Sequence, residues 1–211
     1  MLIEKTLENF ILEAASGSPT PGGGSVSAYA GGLGTALISM VGNLSFGKKS
    51  YEELSSDIKE KMEENFEELQ TKIEILNKMV DEDSTAFDGV MEAFKMPKET
   101  KEEKEARSKA IQEGYKKALE VPLGCAEECL EVLKLQDVFA QYGNENAITD
   151  VGVGILLAQV GVEGALLNVR INLTSIKDES YREDIQKQVD SIMKESEQLK
   201  EELLKIVYSR L

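Results

Sequence analysis

At 211 residues the chain is long enough to bury one sizeable core, and it reads as a single domain over 1–211. Thirty-nine acidic against 24 basic residues leave a formal net charge of −15, which argues against nucleic acid and anionic membranes as partners. Histidine is absent, which removes the usual general base and the commonest metal ligand, so acid–base chemistry must fall to a carboxylate, lysine, tyrosine or cysteine.

Leu2, Ile3, Leu7, Phe10, Ile11 and Ala14 recur at helical spacing and predict an amphipathic helix over 2–15. A start of this kind does not read as a signal peptide, and a cytoplasmic protein is expected. Pro19-Thr20-Pro21-Gly22-Gly23-Gly24-Ser25 follows. Two prolines hold the backbone extended, and Ser25 is a possible cap for the next helix. Free N–H groups at a helix start favour an anion, and glycines let a ligand approach them, although no Gly-Lys-Ser/Thr of a nucleotide-binding loop is present. Residues 26–46 contain no charge. Ser27, Thr35, Ser39, Asn43 and Ser45 make them a poor membrane span, and no membrane is expected as a partner. Gly31, Gly32, Gly34 and Gly42 point instead to close helix–helix approach and a core helix buried on all sides.

Gly47-Lys48-Lys49-Ser50-Tyr51 turns the chain, with Ser50 and Glu53 spaced as a capping box. Apolar positions from Leu54 through Ile58, Met62, Leu69 and Val80 to Phe87 and Phe94 predict one long helix, or two joined by a kink, before Pro97. Thr100 and Glu103 form a second capping box, and Pro122 must kink or restart the helix they open. Cys125 and Cys129, four apart in a helical pattern, read as buried reduced thiols. A helix over 123–142 ends at Gly143, and Asn144-Glu145-Asn146 is a polar loop. Thr149 or Asp150 caps a second glycine-punctuated apolar helix over 151–171; 172–177 is a turn; Tyr181 to Val207 marks the last helix. No strand pattern occurs. The fold expected is an all-α bundle of six to eight helices with two buried glycine-rich helices.

Asp83 falls three residues after the core position Val80 and leans toward the buried face, although an acidic surface turn is the simpler reading of Asp81-Glu82-Asp83. Asp150 is most simply a cap. Lys48 and Lys49 either bind an anion or neutralise a helix C-terminus. Asn144, Asn146, Asn168 and Asn172 are dense around one apolar helix, and the last two share a face. Singly, none of these identifies a reaction.

In order along the chain stand Thr20-Pro21-Gly22-Gly23-Gly24-Ser25, Gly47-Lys48-Lys49-x-Tyr51, Val80-Asp81-Glu82-Asp83-x-x-Ala86-Phe87, Pro97-Lys98-x-Thr100-x-Glu102-Glu103-Lys104-x-x-Arg107, Val121-Pro122-Leu123, Gly143-Asn144-x-Asn146-x-x-Thr149-Asp150 and Asn168-Val169-x-Ile171-Asn172-Leu173. Together they resemble the cyclodeaminase/cyclohydrolase family over nearly the whole chain. That resemblance implies formimidoyltetrahydrofolate cyclodeaminase activity, releasing ammonia and forming 5,10-methenyltetrahydrofolate, with methenyltetrahydrofolate cyclohydrolase as the alternative. It implies Asp83 as the general acid/base, with Asp81 behind it and Asp150 a second candidate. Pro21, Gly22, Gly23, Gly24 and Ser25 with Asn144, Asn146, Asn168, Asn172 and Asp150 are implied to bind the pterin. Lys48 and Lys49 are implied to meet the glutamate tail, mono- or polyglutamylated, with Arg107 and Arg170 as weaker candidates. No metal or cofactor is expected, the tetrahydrofolate derivative being substrate, and a homodimer is.

Overall fold

The computed structural model describes residues 1–211, which form helices and no strand. In chain order these are α1 (Leu7–Ala14), α2 (Gly23–Ser45), α3 (Lys49–Glu52), α4 (Ser56–Thr85), α5 (Asp88–Lys95), α6 (Lys101–Leu135), α7 (Asp137–Tyr142), a 3-10 turn at Glu145–Ala147, α8 (Ile148–Leu173) and α9 (Glu179–Ser209). Seven have eight residues or more, which matches the expected all-α bundle; α3 and α7 are single turns or little longer.

α2 and α8 lie antiparallel at the centre, close enough that side chains are excluded from parts of the seam. A Cβ placed on Gly34 would stand 2.8 Å from the carbonyl oxygen of Gly154 and 3.0 Å from the nitrogen of Ala158. Glycine is needed here for close approach, and its helix-propensity cost of about 1 kcal/mol is met by backbone packing. Antiparallel α4 covers a second side of α2, with Leu76 under Gly32 and Phe66 under Gly42. α6 supplies Cys129, whose sulfur fills the notch between Gly31 and Gly161. α9 packs along α8 through Val207, beside Gly152. Cys125 and Cys129 are both free and buried, as expected.

The central helices are not buried on all sides. Val26, Leu33, Met40 and Leu44 of α2 and Val153, Leu156, Val160 and Leu167 of α8 remain exposed, forming an apolar face on the side away from the core.

Several boundaries also differ from the sequence reading. The first helix is Leu7–Ala14, capped by Thr6, and of its residues only Phe10 is buried, tilted against Tyr29. Residues before it are tied down by Asp81, whose carboxylate accepts the N–H groups of Leu2 and Ile3. Ser25 is not the cap of α2; Gly22 is. The Ser50–Glu53 box does not form, because α3 stops at Glu52 and α4 starts afresh after Ser55. The kinked alternative holds for the next stretch, which breaks at Ala86 and Phe87. Thr100 and Glu103 do make their capping box. Pro122, buried, neither ends nor restarts α6, although its missing N–H leaves the carbonyl of Ala118 without the usual partner. Thr149 and Asp150 sit inside the first turn of α8 rather than capping it.

Candidate functional site

A helix that begins Gly-Gly-Gly-Ser has free N–H groups and, with glycine at the N-cap, no side chain of its own to meet them. Asp83 meets them from the last turn of α4. Its Oδ2 accepts the backbone N–H of Ser25 at 2.7 Å and the Ser25 hydroxyl at 3.1 Å. Oδ1 has no partner in the chain. A Cβ on Gly24 would land within the Asp83 carboxylate, so glycine at 24 is what lets α4 bring that group onto the helix start. Burial pushes the Asp83 carboxyl above the ordinary carboxylate range, and the two bonds from Ser25 pull it part of the way back.

Asp83 lines a cleft of about 320 Å³. The loop before α2 forms one wall, with Thr20 and Gly22 to Gly24. Asn168 and Asn172, one turn apart near the end of α8, form the wall facing it. Asn168 donates to the carbonyl of Gly164 at 2.9 Å, whereas the Asn172 carboxamide has no partner within the chain, though the residue is buried. Such an amide can both donate to and accept from a planar heterocycle. The corner between α4 and α5 adds Ser84, Ala86 and Phe87, and α6 adds Ala118. Phe87 stands edge-on to Tyr115, its centroid 6.1 Å away. A carboxylate with one free oxygen, an unpaired amide at Asn172 and an aromatic wall suit a flat nitrogen heterocycle that must gain or lose a proton.

The structure therefore brings together Gly22, Gly23, Gly24, Asp83, Asn168 and Asn172, with Ser25 behind the carboxylate. Pro21 is buried beneath the loop, outside the cleft wall. Asn144, Asn146, Asp150, Lys48 and Lys49 lie at the other end of α2, roughly 33 Å away along a helix of that length. Asn144 completes that end: its N–H donates to the Ser45 hydroxyl and its side-chain amide to the Leu44 carbonyl, both at 2.8 Å. The same side chain accepts the N–H of Asn146 at 3.0 Å. Lys48 precedes α3, and Lys49, almost fully exposed, lies 3.6 Å from Glu53. Asp150, in the first turn of α8, belongs to this distant end too. Within one chain, none of these reaches Asp83.

Arg170 pairs with Asp190 at 3.6 Å and borders a larger hollow of about 520 Å³ between α8 and α9. That hollow sets Arg170 and Arg182 against Glu179 and Glu183, so its charges cancel. The smaller cleft, with its partly buried carboxylate, is the candidate site. Sequence reasoning missed Ser84, Ala86, Phe87 and Ala118 as wall residues; the spacing of four between Asp83 and Phe87 is the signal that could have found Phe87.

The formiminotransferase-cyclodeaminase family model matches residues 6–191. A methenyltetrahydrofolate cyclohydrolase of Methylorubrum extorquens is 41% identical over 207 residues, covering 98% of either chain. A formimidoyltransferase-cyclodeaminase of Gallus gallus is 39% identical over 93% of this chain, which spans only 36% of that relative. Among solved structures, formiminotetrahydrofolate cyclodeaminase from Thermotoga maritima superposes with a TM-score of 0.86 at 25% identity, over 99% of this chain and 98% of that one.

Proposed function

Since the chain belongs to the formiminotransferase-cyclodeaminase family, we propose that it is a methenyltetrahydrofolate cyclohydrolase, acting on the one-carbon bridge between N5 and N10 of tetrahydrofolate. The observation that carries this reading is the half-buried Asp83 carboxylate, fixed through one oxygen and free at the other, in a cleft walled by amides and an aromatic ring. End-to-end likeness to a cyclohydrolase favours the hydrolytic direction.

In that direction water adds to the bridge carbon. Asp83 takes the proton that the water loses, and returns it to N5 as the bond between that carbon and N5 breaks. The hydroxyl proton of the adduct passes to solvent as the formyl carbonyl forms, leaving 10-formyltetrahydrofolate. A carboxylate with a raised pKa suits a group that must hold a proton briefly and release it. The two reacting atoms are already tethered in one molecule, so placement rather than capture is the main task.

The end-to-end match to a solved cyclodeaminase supports a second reading on the same residues. There N10 attacks the carbon of the protonated formimino group on N5, whose nitrogen already carries two protons. Asp83 takes the N10 proton and passes it to that nitrogen, which leaves as ammonia as the methenyl bridge closes. The absorbance of 5,10-methenyltetrahydrofolate distinguishes the two. The cyclohydrolase consumes it faster than the spontaneous rate, before and after chelator treatment; a cyclodeaminase forms it from the formimino compound. Acceleration of neither reaction would refute the enzyme reading, and loss of activity on chelation would refute its metal-free form.

A further inference from the structure

α5 carries an apolar stripe that its own chain leaves open. Phe87, Met91 and Phe94, spaced by four and three residues, share one face and are 42%, 55% and 44% exposed. The stripe begins inside the cleft, because Phe87 lines it with Asp83. It ends at a cation. Arg107 of α6 reaches across to α5, donating Nε and Nη2 to the carbonyl of Phe94 at 3.3 and 3.2 Å, with its guanidinium 5.3 Å from the Phe94 ring centroid. These contacts fix the guanidinium but use no carboxylate, so Arg107 is a held cation without an ion-pair partner. Of the lysines nearby, Lys95 pairs with Glu92 at 2.6 Å and Lys101 with Glu105 at 3.9 Å, while Lys98 and Lys104 are unpaired but, unlike Arg107, are held by no such contact.

We propose that this stripe is the bed for the aryl portion of the substrate and that Arg107 anchors the first glutamate of its tail. This rests on the folate reading above. A pterin placed between the glycine loop and Asn168 and Asn172 must send its aminobenzoyl group out past a neighbouring wall, and Phe87 is the aromatic one. From Ala118, at the cleft, to Arg107 is roughly 16 Å along α6. That distance suits a benzoyl ring, its amide and one extended glutamate. Aromatic rings and a thioether take an aryl ring by stacking and dispersion. A pre-oriented guanidinium takes a carboxylate through paired N–H groups. The cleft wall itself contains no basic residue, and Lys48 and Lys49 would meet a tail only from a second copy of the chain.

Steady-state kinetics test this on two substrates: the monoglutamyl compound and its counterpart truncated at the aminobenzoate. Arg107→Ala is expected to lower the ratio of KM values, truncated over glutamylated, by about tenfold, the worth of one charge-assisted contact. Arg107→Lys should recover part of it, and added salt should narrow the gap. Phe94→Ala is expected to raise KM for both substrates, because both carry the ring. An unchanged ratio in Arg107→Ala would overturn the proposal. So would transfer of the effect to the double variant Lys48→Ala, Lys49→Ala. If the wild type turned over neither substrate, the folate reading would fail instead.

Discussion

At Asp83, burial favours the neutral acid while the N–H and hydroxyl of Ser25 favour the carboxylate, and burial prevails. A carboxyl whose folded pKa is raised contributes stability below its unfolded pKa and loses it as pH rises through the folded value. Asp83→Asn is therefore expected to keep the fold at neutral pH, since an amide oxygen can still accept from Ser25. Turnover should fall by roughly 100-fold or more, the scale of one general acid/base, with little change in apparent affinity. As the proposed proton acceptor Asp83 must be ionised, so wild-type activity is expected to rise with pH through its raised pKa. Ser25→Ala removes one bond to the carboxylate, and that limb should move to higher pH. pH profiles of single-turnover rates check both. Asp150→Asn, altered at the far end of α2, should stay near wild type; loss of turnover there with Asp83→Asn unaffected would reverse the assignment. Asp81 holds the backbone of Leu2 and Ile3, so Asp81→Asn should loosen the N-terminus more than it slows the reaction.

At the scale of the helix, α2 and α8 are specified by what they lack. Gly34→Ala would add about 1 kcal/mol of helix propensity, yet it places a Cβ against the backbone of Gly154 and Ala158, which has no side chain to move aside. A net loss of about 1–3 kcal/mol is expected, as for other overpacked sites, read from the urea midpoint. Gly89→Ala in α5, where nothing lies within 4 Å, should instead stabilise by about 0.5–1 kcal/mol. Period and composition made these helices legible in the sequence, as they did the Thr100–Glu103 box. Their ends were not. α2 is completed at its start by Asp83 from α4 and at its finish by Asn144, each distant in sequence. Local capping rules offered Ser25 for the first of these roles, and the family resemblance gave Asn144 to the pterin. The family resemblance put the glycine loop and Asp83 in one site. The opposite placement of Lys48 and Lys49 follows from the length of α2 itself, whereas that of Asn144 and Asp150 follows from the antiparallel seam, which no local pattern reveals.

For the molecule as a whole, the open apolar face of α2 and α8 is the largest feature without an internal explanation. We propose that a second copy covers it, forming a homodimer, since α2 brings no charge to that face and monomers rarely leave so continuous an apolar surface in water. Light scattering is expected to give twice 23.2 kDa at micromolar concentration. Leu33→Glu with Leu156→Glu, each on the exposed side of its helix, should shift it to monomer without unfolding it. A wild-type mass near 23.2 kDa would refute the dimer.

Cys129 gives the seam a built-in clock. Its sulfur is wedged between Gly31 and Gly161, and Cys125 and the surrounding burial both hold the thiol protonated, well above its ordinary range. A thiol reagent can reach it only when α2, α6 and α8 part, because the residue is wholly enclosed. Alkylation of the native protein would thus report that opening, its equilibrium at low reagent and its rate where the reagent outpaces reclosing, and would time the breathing of the structural centre with thiols the chain already carries.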